Sequence, residues 1–182
     1  MKSRGRKHSR KSQKRPARKR VFIFCEGQET EYNYIHKLKI EDEIKLKSTV
    51  RVQKGKGGSR QQIVQDAVKK KTRFENDFDE FWCVMDVERL QSQEHREDLN
   101  KAIQIANDHK ISLFLSNPTF EVWLLSHFIR SSQNFNDCDA VIIELNKQWQ
   151  NAFNLDYSKN DNNIFHRLKS RFDFTCDSSD AK

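Results

Sequence analysis

Three acidic side chains stand where runs of apolar residues stop. VFIFC (21–25) leads into Glu26 and Gly27, and FWCVM (81–85) leads into Asp86, Val87 and Glu88. Carboxylates gathered at one place repel each other unless a proton or a cation intervenes. Hard divalent ions such as Mg²⁺ take oxygen ligands, and they often bind through one or two carboxylates plus substrate phosphate. A site of Glu26, Asp86 and Glu88 therefore suits phosphodiester chemistry, in which Mg²⁺ or Mn²⁺ stabilises developing charge and activates water. Each acid also has a plainer explanation. Asp86 can cap a turn, Glu88 can pair with Arg89 or with solvent, and Glu31 falls in the first turn of a helix, where the dipole favours acids anyway. Glu26 is harder to explain away, because it precedes the helix beside a glycine that permits close backbone approach.

The elements that must position these acids alternate along the chain. Strands are predicted at VFIFC (21–25), STVRVQ (48–53), FWCVM (81–85) and ISLFLS (111–116). Helices are predicted at 30–44, at 60–74, where Ile63, Ala67, Val68 and Phe74 share a face, and over about 91–108. FEVWLLSHF (120–128) is apolar nearly all round, as a helix buried between layers would be, with His127 on its packing stripe. This βα alternation predicts an α/β fold: a four-stranded parallel sheet with helices on both faces. Ligands of such sheets bind beyond the carboxyl ends of the strands. Two of the four strand ends carry the acids. The second carries Lys54 and GKGGS (55–59), and the fourth carries Asn117 and Pro118. The glycine loop, with Lys54 and Lys56, offers amides to a phosphate, although it lacks Walker spacing. A flexible exposed loop is the alternative.

Charge is distributed very unevenly. Residues 1–20 hold 11 of the 34 Lys and Arg and no acid, leaving 23 basic against 26 acidic residues in the remainder. The positive charge belongs to an arm that lacks apolar periodicity and is expected to be disordered. Its Lys14, Arg15, Arg18, Lys19 and Arg20 are candidates for binding nucleic-acid phosphates. A merely solubilising tail is the alternative. No apolar segment follows the charged region as a secretory signal would require, and no run approaches membrane-spanning length. The four cysteines show no CxxC pairing, which argues against a zinc site or a disulfide framework. Cys25 and Cys83, inside apolar runs, are expected to be small buried hydrophobes in a reducing, cytoplasmic protein.

CEGQETE (25–31), WCVMDVE (82–88) and SNPTFEVWLLSHF (116–128), taken in order, resemble the RloB-like family of bacterial proteins. The resemblance extends from about residue 20 to 168. It implies a Toprim-like (Rossmann-like) variant of the α/β fold over residues 21–172, between the arm (1–20) and an irregular polar tail (173–182). It places a metal ligand or general base at Glu26 and metal ligands at Asp86 and Glu88. The resemblance also implies supporting roles for Glu31, Asn117 and Glu121, and Lys159, in LDYSKNDNNIF (155–165), is a candidate to stabilise phosphate charge. Family members tend to carry Asp-x-Asp where this chain has Asp86-Val87-Glu88, one methylene longer at the second acid. The implied activity is a Mg²⁺- or Mn²⁺-dependent nuclease acting on DNA or RNA in antiphage defence (abortive infection), with a partner ATPase encoded nearby. A non-catalytic nucleic-acid-binding or regulatory subunit and a nucleotide-binding module are the competing readings, and a homo-oligomer is left open.

Overall fold

The computed structural model describes residues 19–27, 29–46, 49–88, 90–129, 135 and 137–169. The arm residues Lys14, Arg15 and Arg18, the tail 173–182, Arg89 and Cys176 lie outside them.

Four strands form one sheet: β1 (Arg20–Cys25), β2 (Thr49–Lys54), β3 (Glu80–Asp86) and β4 (Ser112–Ser116). Their order is β2-β1-β3-β4 and every pair is parallel. β1 is a central strand covered on both faces, which explains why Val21 to Cys25 are all buried and why the sequence there is continuously apolar. The ends align. Cys25 stands opposite Lys54 and Val84, and Asp86 stands opposite Ser116, so whatever follows each strand arrives at one edge.

The helices are α1 (Thr30–Leu46), α2 (Arg60–Phe74), α3 (Gln93–Asp108), α4 (Glu121–Leu125) and α5 (Cys138–Phe153). The step from β1 to β2 runs one way across the sheet, whereas the steps from β2 to β3 and β3 to β4 run the other. Right-handed crossovers then require α1 on one face and α2 and α3 on the opposite face. The two cores agree with this. Phe22, Phe24, Cys83 and Met85 pack with Ile63, Val64 and Ala67 of α2 and Ala102 and Ala106 of α3. Val21, Ile23, Cys25 and Val84 pack with Tyr34 of α1, Leu124 and Leu125 of α4, and Val141, Leu145 and Trp149 of α5. A helical turn at 164–169 adds Ile164, Phe165 and Leu168 to that second core. The direction of travel reverses between β1 and β3, so the crevice for a ligand opens beyond those two strands.

Local signals set the boundaries. Ser59, Ser92 and Asp137 cap α2, α3 and α5 by accepting from the backbone N–H three residues on. Asn154 ends α5 in the left-handed conformation. Three features differ from the sequence expectations. The helix predicted over 120–128 is regular only from Glu121 to Leu125 and then continues as turns, and Trp123 is half exposed, so that segment is not buried all round. α5, which the sequence reading did not assign, supplies the largest fully buried side chain, Trp149. The strand also begins at Arg20, inside the segment assigned to the arm. Arg20 pairs with Asp79 at 2.9 Å and Lys19 pairs with Glu80. Both therefore sit at the end of β1 opposite Glu26. Cys25 and Cys83 are fully buried, with thiol pKa values raised by burial, Cys83 to about 12. Among the described residues no helix is long and apolar enough to cross a membrane.

Candidate functional site

Glu26 leaves β1 with its backbone N–H still bonded to Val84 O at 2.9 Å, one step past the strand proper. Its side chain turns across the sheet, where Oε2 accepts the backbone N–H of Asp86 at 2.9 Å. The ends of β1 and β3 are thus tied by an acid from one and an amide from the other. Two glycines make the close packing possible. A Cβ on Gly55 would sit 2.5 Å from the carbonyl oxygens of Cys25 and Glu26, so the loop after β2 lies directly on the Glu26 turn. A Cβ on Gly27 would sit 2.6 Å from Glu31 Oε2, so the carboxylate of α1's first turn folds back over the same bend.

Asp86 is held from the β4–α4 connection. Thr119 donates its hydroxyl to Asp86 Oδ2 at 3.1 Å and also to Oε2 of Glu121. Glu121, at 1% exposure, is the most heavily bonded acid of the site. Its Oε1 accepts from Thr30 at 3.2 Å and from Tyr157 at 3.0 Å, and Lys159 Nζ lies 3.3 Å away. These partners come from α1, the turn before α4 and the segment after α5, so one carboxylate joins three distant stretches of chain.

Glu88 stands further out. Its Oε2 accepts from the Cys138 thiol at 3.3 Å, and its backbone carbonyl accepts from the buried guanidinium of Arg60. Arg60, the first residue of α2, is paired with Asp98 of α3 at 3.6 Å. Asp98 in turn accepts the backbone N–H groups of Arg60 and Gln61, so it caps α2 from another helix. These groups and Glu26, Asp86, Thr119 and Lys159 line a cleft of about 820 Å³ beyond the strand ends.

Crowding sets the electrostatics. Asp86 is pushed up to about 8 by burial, with the charges of Glu31 and Glu26 adding to it and the Thr119 hydrogen bond opposing it. Glu26 and Glu31 are raised by burial as well, with the Asp86 amide pulling Glu26 back down. Glu121 is the exception. Burial pushes it up, but the Thr119 hydroxyl, Lys159 and Tyr157 outweigh that and hold it below the usual range.

Glu26, Asp86 and Glu88 offer oxygen donors to the cleft, and Asp86 Oδ1 is buried with no hydrogen-bond partner. Such an orphaned carboxylate oxygen among mutually repelling acids fits a hard divalent cation. As the side chains lie, however, no three His, Cys, Asp or Glu among the described residues form a ready metal-holding set. The chemistry of the donors fits, and the ligand set is not pre-formed.

The structure thus brings Glu26, Glu31, Asp86, Glu121 and Lys159 together, with Glu88 at the rim. Asn117 is exposed and does not line the cleft. Lys54 and Lys56 are exposed too, and Lys54 Nζ lies 4.6 Å from the centroid of the Tyr32 ring. His127 packs against Tyr34 and Trp123, as its place on the apolar stripe implied. The sequence reading missed Arg60, Thr119, Thr30 and Tyr157. Arg60 alone carried a signal: a cation in the first turn of a helix opposes the dipole and needs a reason to be there.

A model of a family described as RloB-like protein matches residues 21–180. No curated protein and no solved structure matches the chain.

Proposed function

The chain belongs to the RloB-like protein family, and from that premise we propose that it is a metal-dependent phosphodiesterase acting on nucleic acid. The observation that carries the reading is the paired strand end: Glu26 bonded to the Asp86 amide, beside the unpartnered Asp86 Oδ1. Glu26 and Asp86 would hold Mg²⁺ or Mn²⁺, with Glu88 completing the set from the rim. When bound, the ion supplies charge stabilisation at the phosphoryl group and lowers the pKa of a coordinated water. Thr119 keeps Asp86 oriented, and Glu26, raised by burial, can take up a proton at its carboxylate. Lys159 brings positive charge to the phosphate side of the cleft while remaining paired with Glu121. A Toprim-like relationship, a role in antiphage defence and an ATPase partner follow from the sequence resemblance and are part of the proposal.

The test is cleavage of plasmid, linear DNA and RNA with Mg²⁺ or Mn²⁺, comparing the wild type with Glu26→Gln and Asp86→Asn. A loss of at least about a hundredfold in both is expected. Activity untouched by both would sink the assignment. The absence of a ready ligand set, and the thiol partner of Glu88, favour one alternative: a non-catalytic nucleic-acid-binding or regulatory subunit. Binding without cleavage of any substrate, even with the partner ATPase, would select it.

A further inference from the structure

The sheet has two edge strands, and they are built differently. β2 presents Arg51 and Lys54 as exposed charges along its length. Charges of this kind oppose pairing with another strand. β4 has none. Its sequence, Ser112-Leu113-Phe114-Leu115-Ser116, contains neither charge nor proline, and its register with β3 is unbroken over all five residues. No other strand among the described residues pairs with its outer side, and Phe114 on one face and Leu115 on the other are 45% and 43% exposed. Only these two of the sheet's large hydrophobics are so exposed.

β4 also reads the same in both directions. An antiparallel pair of identical strands centred on Phe114 sets each Ser112 against the other copy's Ser116, each Leu113 against Leu115, and Phe114 against itself. We propose that β4 is the docking edge for a second copy of this chain, paired antiparallel about a two-fold axis through Phe114. An isologous contact requires a self-complementary surface, and this strand is one at every position.

Both faces of the strand agree with that occupant. Phe114 shares its face with Trp82, the ring centroids 5.0 Å apart, so pairing aligns four aromatic rings across the junction. Leu113 and Leu115 lie on the other face. There they border an open groove of about 560 Å³ formed with Ile103, Asn107 and Lys110 of the α3 side. The leucines of the second copy would extend over it. The product is a continuous eight-stranded sheet with the two clefts opening at opposite ends, since antiparallel pairing reverses the strand direction.

Light scattering and sedimentation of the full chain across a micromolar concentration series test this. Wild type is expected at twice the monomer mass. Phe114→Lys is expected to halve that mass, and Ile143→Lys, which alters an exposed apolar residue on α5, is expected to leave it unchanged. Register is tested by oxidation in a background with Cys138 and Cys176 changed to Ser. Phe114→Cys should link to itself, Ser112→Cys alone should not, and Ser112→Cys with Ser116→Cys should link with Phe114 intact. A wild-type monomer at every concentration, a dimer that survives Phe114→Lys, or no link from either cysteine design would overturn the proposal.

Discussion

The backbone N–H of Asp86 donates to Oε2 of Glu26 at 2.9 Å, so the two acids at the switch point share a bond between strand ends. That contact fixes Glu26 while leaving the Asp86 carboxylate to its acidic neighbours. Burial first, and the charges of Glu31 and Glu26 after it, raise the Asp86 pKa from 3.8 to about 8.

The first prediction follows from the sign of that shift. A carboxyl whose folded pKa lies above its unfolded value contributes stability that is full below about pH 4 and is lost as pH rises towards 8. The protein in chelator should therefore melt lower at pH 8 than at pH 5. Asp86→Asn removes the penalty and should stabilise the metal-free fold by roughly 1–3 kcal/mol at pH 8 and by about nothing at pH 4. Thermal melts of both proteins across this range measure it. A lower melting temperature for Asp86→Asn at pH 8 would contradict the assignment of Asp86 as a strained, buried acid.

Gly55 offers a way to disturb the site without touching an acid. Gly55→Ala places a methyl group 2.5 Å from two backbone carbonyl oxygens, so the Glu26 turn must move. The expected cost is about 1–3 kcal/mol, accompanied by weaker Mn²⁺ binding in a thermal-shift titration. Gly57→Ala is the control. Nothing lies near its Cβ, but its φ of +72° costs an L-residue about 1 kcal/mol. Metal affinity should be unchanged there, and a matching loss in both variants would show that Gly55 has no special link to Glu26.

Arg60 and Asp98 form a pair that is about nine-tenths out of solvent. Arg60→Met leaves Asp98 on the amides of α2 without its cation, and breaking a buried pair in this way costs about 3–5 kcal/mol. The double variant Arg60→Met with Asp98→Asn should recover part of that cost. Urea unfolding of the four proteins gives the coupling. Strict additivity would mean the pair contributes nothing of its own.

Residues 1–18 carry nine Lys and Arg. Removing them should weaken binding to DNA or RNA and flatten the dependence of log K on log salt, because each lost phosphate contact releases about one counterion fewer. Fluorescence anisotropy at several salt concentrations reads the slope. An unchanged slope would leave the arm as a solubilising tail.

The sheet was legible because its strands are short apolar or β-branched runs bounded by abrupt polarity, with the central β1 buried from Val21 to Cys25. All four parallel strands fall within a residue or so of their expected places, and α2 matches at both ends. The helix expected over 120–128 is regular only from Glu121 to Leu125 because its apolar residues do not all turn inward: Trp123 is half exposed. At the site, Glu26 and Asp86 stood out by following strands. Glu31 did not, because an acid in a first turn has a sufficient local explanation, and only the fold shows it packed against Gly27. Thr30, Thr119 and Tyr157 carry no local signal at all. Their roles exist through contacts made across 30 to 130 residues of chain.

Glu121 draws Thr30, Tyr157 and Lys159 onto one carboxylate, and Thr30 and Tyr157 are separated by 127 positions. During synthesis the four strands emerge well before Tyr157 does, so the sheet is available to a nascent chain that lacks this last partner. Until the segment after α5 arrives, Glu121 has its threonine partners but lacks the phenol of Tyr157 and the cation of Lys159. Assembly of the acidic edge is therefore a late event tied to the far end of the domain. A chain truncated before Tyr157 would lack the phenol and the lysine that complete the site.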